Sequence, residues 1–304
     1  MKRLFKLTSI LLIVFSLLLT SACSSKKDKN DGPKGEVETG VTIEDDKDKK
    51  DDKVSKKNDI TVEEQVLVDQ DGVLIVVKSF NNGQYGSNLK LYLENNTDKN
   101  LNIIANEVSI NGIMFEPFFA VEMGGGKKSN TEMTFDKVDM ERFKIDLIKD
   151  IEMKFTAYES ESWEDLIKTD IVTIHTSADT NYVQKIDDSG KVVLEENGFK
   201  FVFKDIDYKS SYTGPEIKVY IENNSDQDVI VQISDVSING FMMEPIFSVD
   251  VSAGKKAYDA ISFFKENFEE NGVESMEEMD FKVIIFEMNS WETILESPLI
   301  QEKW

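Results

Sequence analysis

The sequence has one cysteine, one histidine and five prolines, and its basic residues are far fewer than its acidic ones. One cysteine cannot form an intrachain disulfide, and one histidine beside it cannot complete a Cys/His zinc site. With 35 basic and 58 acidic residues, the net charge of −23 repels nucleic acid and other polyanions. These shortages exclude most metal and thiol chemistry, so we expect no cofactor and no nucleic-acid partner.

A short apolar segment follows the basic start of the chain. Lys2, Arg3 and Lys6 precede an apolar run over residues 7–19. This run is shorter than the roughly 20 residues that a membrane-spanning helix needs. Small residues at 20–22 follow it, as they do at the cleavage site of an export signal. We therefore predict a signal peptide over residues 1–22.

Residues 20–23 resemble the lipobox of bacterial lipoproteins, in which the cysteine is acylated and becomes the new N-terminus. Thr20 departs from the leucine that is usual in that motif, and Leu19 lies one position early. The alternative is a plain secretory signal with an incidental cysteine. Because a free thiol is a liability in an oxidising compartment, we predict that Cys23 is the lipidation site, with palmitate as one acyl group. The protein would then be anchored to the outer face of the cell membrane.

The segment after the cysteine has almost nothing to bury. Residues 24–59 contain 10 lysines, 11 acidic residues and no aromatic residue. Such a composition cannot offset the entropy of folding, so we predict that residues 23–59 are the lipidated cysteine and a disordered tether. Without the signal peptide the chain has 32 basic and 58 acidic residues, a net charge of −26.

The rest of the chain contains one sequence unit twice. Residues 89–101 (LKLYLENNTDKNL) match residues 217–229 (IKVYIENNSDQDV) at an offset of 128 residues. The same offset aligns two copies of Val-Ser-Ile-Asn-Gly and two copies of Ser-Trp-Glu. Each unit has about 120 residues, which is enough for a hydrophobic core of its own. We predict two domains, residues 60–178 (repeat 1) and 182–304 (repeat 2).

The hydrophobic period within each repeat is two. Leu89, Leu91 and Leu93 alternate with polar residues, which predicts a half-buried strand. The matching strand of repeat 2 alternates Ile217, Val219 and Ile221 with Lys218, Tyr220 and Glu222. Asn111-Gly112 and Asn239-Gly240, each between β-rich flanks, are hairpin signals, as are Asp71-Gly72 and Asn197-Gly198.

These patterns predict six or seven short strands and one short helix in each repeat, the helices at Lys137 to Phe143 and Lys265 to Glu270. Turn signals every ten or so residues without βαβ alternation indicate an all-β chain. We predict two tandem antiparallel immunoglobulin-like β-sandwich domains, each with one short crossover helix. A closed barrel is the alternative.

The repeated strand, its Glu-Asn-Asn-(Thr/Ser)-Asp turn, the Gly-Lys-Lys segment and the late helix resemble a known family. They are similar to the tandem immunoglobulin-like repeat domains, of unknown function, found in surface lipoproteins of Gram-positive bacteria. The resemblance covers both repeats and implies an extracytoplasmic sandwich. It brings no catalytic residues to carry over.

Trp163 and Trp291 are the candidate binding residues, because they occupy matched positions in the two Ser-Trp-Glu segments. Tryptophan is frequent among binding hot spots. The alternative is a loop aromatic that folds over the edge of the core.

Other polar residues have simpler interpretations. His175 lacks partners for catalysis and is expected to be a solvent-facing strand residue. Glu116 and Glu244 could be nominated as a carboxylate pair, but each precedes a proline at a strand end, where a solvated carboxylate is ordinary. Weak calcium binding is possible at repeated oxygen clusters, although turns also explain them; these clusters are Asn95, Asn96 and Asp98, with Asn223, Asn224 and Asp226.

The sequence therefore predicts a non-enzymatic, membrane-anchored extracytoplasmic lipoprotein whose two domains bind a protein or an envelope component. Duplicating a sandwich doubles reach and valency. The alternatives are a structural spacer or envelope-assembly factor without its own ligand, and an enzyme or metal-dependent module. Repeat 2 is the more acidic, so a basic partner would prefer it.

Overall fold

The computed structural model describes residues 60–117, 119–209 and 214–304, all within one structural unit, Ser55–Trp304. The predicted signal peptide, the lipidation site Cys23 and the predicted tether lie outside the described residues. In the part that is described, neither helix has the length and apolar character needed to cross a membrane.

Among its described residues, repeat 1 contains ten strands and one helix. In chain order these are β1 (Gln65–Gln70), β2 (Val73–Asn82), β3 (Gly86–Asn95), β4 (Leu101–Ile110), β5 (Ile113–Met114), β6 (Ala120–Met123), β7 (Lys127–Asp136), α1 (Lys137–Arg142), β8 (Asp150–Glu159), β9 (Asp165–Lys168) and β10 (Val172–His175).

Repeat 2 has the same elements in the same order. They are β11 (Lys191–Glu196), β12 (Phe199–Asp207), β13 (Glu216–Asn223), β14 (Val229–Ile238), β15 (Phe241–Met242), β16 (Ser248–Val251), β17 (Lys256–Ser262), α2 (Lys265–Asn271), β18 (Glu278–Glu287), β19 (Thr293–Glu296) and β20 (Ile300–Lys303).

The predicted six or seven strands per repeat are therefore too few. The extra strands are short pieces of two to four residues that add to the edges of longer strands. Such pieces are too short to show a period in the sequence, because two residues cannot alternate more than once.

Each repeat is a sandwich of two antiparallel sheets. In repeat 1 one sheet has the order β1-β2-β3-β7, and the other has β10-β8-β4-β5, with β6 on β4 and β9 on β8. In repeat 2, β11-β12-β13-β17 faces the sheet β15-β14-β18-β19, with β16 on β14 and β20 on β18. A bridge between β5 and β17 joins the second sheet of repeat 1 to the first sheet of repeat 2, so that together they form one ten-stranded sheet. The short helix joins the two sheets in both repeats. The all-β prediction of two antiparallel sandwiches with crossover helices is confirmed.

The alternating residues of β3 form part of the core of repeat 1. Leu89, Leu91 and Leu93 are all buried and pack with residues from the facing sheet, such as Ile103 and Phe155. A second cluster of buried side chains fills repeat 2, from Leu194 to Leu295. That each repeat folds on its own within the predicted limits stays a prediction.

One position departs from the predicted alternation. Tyr220 was expected on the polar face of its strand, but it is fully buried. The Tyr258 ring covers it from β17, with 5.0 Å between the ring centroids. The segment before β11 also crosses this face, because the Asp187 amide donates to the Tyr258 hydroxyl at 2.9 Å. Because this outer face of the sheet is covered, an aromatic side chain is buried at a position where the alternating pattern predicts a solvent-exposed side chain.

The hairpin signals form the predicted turns. Asn111 and Asn239 have φ of 52° and 50°, and the glycines after them both have φ of 82°. Glycine and asparagine tolerate this left-handed conformation better than other residues. Helix α2 ends at Gly272, which is also left-handed at φ 64°.

Two buried asparagines hold the Asn-Asn turns. The Asn95 side-chain nitrogen donates to the carbonyl oxygens of Lys99 at 2.8 Å and Met123 at 3.1 Å, and its oxygen accepts from the Thr97 amide at 3.1 Å. Asn223 makes the corresponding bonds in repeat 2. Both side chains are fully buried, and so are their bonds to the carbonyls of Met123 and Val251.

Replacing Asn95 with alanine should therefore destabilise the fold. The substitution leaves buried backbone groups without partners, and we expect a loss of about 1–3 kcal/mol in the free energy of unfolding. Asn96→Ala, at the exposed neighbouring position, is the matched control and should change stability by less than about 0.5 kcal/mol. Denaturant unfolding of both variants measures the difference, and equal stabilities would contradict this role of Asn95.

Candidate functional site

Trp163 lies at the tip of the loop between β8 and β9. The loop is closed at its base, because the Glu159 amide donates to the Glu164 carbonyl at 3.0 Å. The Trp163 amide donates back to the Glu159 carbonyl at 2.9 Å. The indole stacks on the Tyr158 ring with 5.4 Å between centroids and 15° between planes, and 70% of the residue stays exposed. One face of this ring is therefore supported while most of its surface faces solvent.

Trp291 repeats this geometry in the loop between β18 and β19. Its amide donates to the Glu287 carbonyl at 2.9 Å, and the Glu287 amide donates to the Glu292 carbonyl at 2.8 Å. The indole contacts the Phe286 ring at 6.0 Å and is 59% exposed. We call residues 159–164 and 287–292 the tryptophan tips.

Both tryptophans have left-handed backbone conformations. Trp163 has φ of 61° and Trp291 has φ of 59°. A left-handed residue with a side chain costs about 1–2 kcal/mol, and glycine or asparagine usually fills such a position. A tryptophan in this unfavourable backbone conformation at both tips points to a role for the exposed ring beyond shaping the loop.

The carboxylate at the base of each tip is held by hydrogen bonds. Glu287 accepts from the Ser290 amide at 2.6 Å and from the Asn289 amide at 3.1 Å. These bonds lower the pKa of Glu287 to about 2. In repeat 1, hydrogen bonds from Lys99 and a tip serine likewise lower the pKa of Glu159. Both carboxylates are therefore ionised at neutral pH.

Ion pairs join the two repeats. The Lys154 ammonium contacts the Glu107 carboxylate at 2.6 Å within repeat 1 and the Asp228 carboxylate of repeat 2 at 3.0 Å. The second Asp228 oxygen accepts from the Ala253 amide at 2.8 Å. Burial raises the pKa of Glu107, while the Ala253 amide and Lys154 lower the pKa of Asp228. We call this contact between the repeats the seam.

Backbone and lysine contacts extend the seam. The Lys256 amide donates to the Gly112 carbonyl at 3.0 Å, so that β5 of repeat 1 meets β17 of repeat 2 in a single parallel bridge. The Lys255 ammonium pairs with the Glu152 carboxylate across the same boundary.

A groove of about 580 Å³ runs along the seam. Its lining includes Glu116, Asp170, Asp250 and Asn289. Partial desolvation raises the pKa of Glu116, and the neighbouring carboxylates Asp259 and Asp250 raise it further. The groove is therefore rich in carboxylates. Glu244, the other member of the nominated carboxylate pair, lies instead beside a separate pocket near α2.

The oxygen clusters considered for calcium serve the turns. The Asn95 and Asn223 side-chain oxygens accept hydrogen bonds from Thr97 and Ser225. Among the described residues, no group of three His, Cys, Asp or Glu side chains has the arrangement of a metal site. Weak calcium binding stays a prediction.

His175 lies on β10 with 76% of its side chain exposed, and its Nδ1 is 2.7 Å from the Asp150 carboxylate. Its strand position and exposure agree with the sequence-based expectation. The Asp150 contact was not anticipated, because it depends on the pairing of β10 with β8.

Sequence reasoning found the tryptophan tips but missed the seam. The sequence does contain a signal for one ion pair of the seam, because Glu107 and Lys154 recur 128 residues later as Asp235 and Lys282. Those residues also pair, at 3.0 Å. The recurrence alone does not show that Asp228 joins the pair, since this requires the orientation of the repeats.

Comparison with known proteins adds little to this geometry. No family model matches the chain, and no curated protein matches it. Among solved structures, the Salmonella enterica SafA pilin in complex with the SafB chaperone is 10% identical, with a TM-score of 0.22. The match covers 71% of this chain and 89% of that chain. A protein of unknown function from Porphyromonas gingivalis W83 is 9% identical, with a TM-score of 0.20 and coverage of 74% and 93%. Similarity this low carries no argument about function.

Replacing Trp163 with glycine tests whether the ring supports the fold. Glycine removes the left-handed strain of about 1–2 kcal/mol and loses a ring contact of about 0.5–1.5 kcal/mol. We therefore expect the free energy of unfolding to change by less than about 1 kcal/mol. A loss of about 3 kcal/mol or more, as for a core aromatic, would instead mean that the ring is structural. Denaturant unfolding of Trp163→Gly and Trp291→Gly measures this.

The lowered pKa of Glu287 predicts a pH-dependent stability. A carboxylate whose pKa falls on folding stabilises the protein fully above its ordinary value of 4.5, and this is lost as the pH falls towards 2. The difference in melting temperature between the wild type and Glu287→Gln should shrink across that range. Calorimetry at pH 6 and pH 2.5 measures this difference in melting temperature. The other carboxylates are present in both proteins, so their titration affects both equally. A difference that does not change with pH would contradict the assignment.

Proposed function

We propose that this chain is an extracytoplasmic lipoprotein that binds a protein or an envelope component through its tryptophan tips, without catalysis. The observation that carries the proposal is the pair of exposed, left-handed tryptophans at equivalent tips of the two repeats. Each ring is already supported from behind by an aromatic residue. A preorganised ring loses little entropy on binding, which favours affinity.

The surroundings of the tips favour a partner with positive charge. In repeat 1, Glu161, Glu164 and Asp165 lie beside Trp163 and are exposed, and Glu292 follows Trp291 in repeat 2. An aromatic ring among carboxylates attracts a lysine or arginine side chain by charge and by the cation–π interaction. The net charge of −23 acts in the same direction over a longer range. Binding should therefore weaken at high salt.

The proposed anchor is Cys23, acylated after removal of residues 1–22, with residues 23–59 as the tether. This part of the proposal rests on the signal-like N-terminus and on the resemblance to Gram-positive surface lipoproteins. A tethered molecule with two equivalent tips can contact a partner twice, which raises its effective affinity.

A structural spacer or envelope-assembly factor is the second candidate. The seam supports it, because Lys154 contacts carboxylates of both repeats and the Lys256 amide adds a backbone bond. A rod of fixed length would need this connection, but it would not need exposed tryptophans. Substitution at the tips therefore separates the two candidates.

A cross-linking pull-down of the lipidated chain from native membranes, analysed by mass spectrometry, tests the proposal. We expect a partner that is captured by the wild type and lost with Trp163→Gly/Trp291→Gly. The affinity of that partner for the double variant should be about 30-fold or more weaker, as for a hot-spot loss of about 2 kcal/mol.

Two variants control this experiment. Tyr85→Ala removes another aromatic residue, 73% exposed and away from the tips, and it should keep the partner. Cys23→Ala should release the protein into the medium if Cys23 is the anchor. Unchanged partner affinity in the double tryptophan variant would reject the tips as the binding site and favour the spacer.

A further inference from the structure

The seam is a head-to-tail contact between two different surfaces, one from each repeat. Each repeat therefore has a second surface, equivalent to the one that its neighbour uses, that takes no part in the seam. Repeat 1 contributes a hairpin face with Gly112, Glu152 and Lys154, and repeat 2 contributes a turn face with Lys255 and Lys256. Each repeat has the elements of both faces, because the two repeats share one fold. The hairpin face of repeat 2 and the turn face of repeat 1 are therefore open.

The open hairpin face of repeat 2 keeps the residues that make the seam. At the offset of 128, Gly240 replaces Gly112, Asp280 replaces Glu152 and Lys282 replaces Lys154. The strand that carries this hairpin, β15, lies at the edge of its sheet. Asp280 makes no ion pair with another described residue, and its carboxylate accepts only from the Gln301 side chain, at 3.0 Å.

This face also carries exposed apolar side chains. Met114, in the hairpin of repeat 1, packs against the core cluster of repeat 2. Its equivalent, Met242, is 71% exposed, and Phe241 beside it is 44% exposed. Ile246 and Phe264 are further exposed apolar residues of repeat 2. Repeat 2 covers Met114, but no described part of the chain covers Met242 in the same way.

The open turn face of repeat 1 keeps both lysines. Lys127 and Lys128 correspond to Lys255 and Lys256, and both are exposed. Lys127 makes no ion pair with another described residue. These lysines are the first residues of β7, which is the edge strand of its sheet. The backbone groups on the outer side of β7 are therefore available for pairing. At the seam, β17 uses the equivalent backbone groups to contact repeat 1.

We propose that a second copy of this chain docks head-to-tail, with the turn face of its repeat 1 on the hairpin face of repeat 2. Lys127 of one chain then takes the place of Lys255 opposite Asp280 of the other. The Lys128 amide donates to the Gly240 carbonyl, as the Lys256 amide does to Gly112 at the seam. Opposite charges and two free strand edges meet in this contact.

The contact between chains should be weaker than the seam. Asn100 replaces Asp228, so the ion pair that joins Lys154 to repeat 2 has no counterpart. Lys282 is instead satisfied within its own repeat by Asp235 and Glu296. Asn130 replaces Tyr258, which removes the stack of that ring on Phe143. Because the two faces differ, the association does not close on itself as a two-fold dimer and can extend into chains.

Cysteine cross-linking of the full chain tests this arrangement. In Lys127→Cys/Asp280→Cys, a short bismaleimide should join neighbouring molecules into a ladder of dimers, trimers and higher multiples. The matched positive control is Glu152→Cys/Lys255→Cys, which places the same pair at the seam and should link within one molecule. The wild type reports any linkage through Cys23, its one native cysteine.

A second control separates specific docking from random collision. Lys127→Cys/Glu196→Cys keeps one reactive position and moves the other to an exposed residue of β11, outside the hairpin face. It should give no ladder above the wild type. The proposal is overturned if Lys127→Cys/Asp280→Cys gives no more multimer than this control while the seam pair links efficiently. Linkage within the seam also shows that Glu152→Cys/Lys255→Cys is folded.

Discussion

The side chain of Lys154 joins the two repeats at the seam. Its ammonium contacts one carboxylate from each repeat, Glu107 and Asp228. Its side chain is only 26% exposed, and those of the two carboxylates are 17% and 22% exposed. Removing the ammonium would therefore leave two partly buried carboxylates without their shared cation, which is unfavourable. The parallel bridge from Lys256 to Gly112 and the Lys255–Glu152 pair join the same two repeats. The groove along the seam and its carboxylates exist only because the repeats are held in this way.

Duplication explains much of the remaining structure. Buried asparagines close the same turn twice, and a bulge holds Glu107 and Asp235 in the same left-handed conformation. The tryptophan tips have the same two backbone hydrogen bonds in both repeats. What differs is the environment, because one copy of each docking face is used inside the molecule and the other is free. Equivalent residues can therefore be structural in one repeat and available for binding in the other.

Local features were predictable where a few neighbouring residues decide the conformation. The Asn-Gly turns require positive φ at two adjacent positions, and few sequences permit this. Helices α1 and α2 were predicted within one residue of their observed ends. The Asp136 side chain caps the start of α1, and Asn271-Gly272 marks the end of α2. The strand count and the burial of Tyr220 were not predictable, because each depends on which segments pack together across long distances in the chain. The tryptophan tips were visible as a repeated motif, although their left-handed backbone was not.

An acidic composition, a signal-like N-terminus and an all-β unit repeated at an offset of 128 residues can all be read from the amino-acid sequence. This is possible because composition, period and turn chemistry are local properties that survive without a folded structure. Three features appear only in the folded chain: Lys154 joins the two repeats, Tyr220 is covered, and Trp163 and Trp291 face solvent. These outcomes depend on contacts between residues far apart in the sequence, and the energy of such contacts is set by burial and geometry that no local pattern encodes.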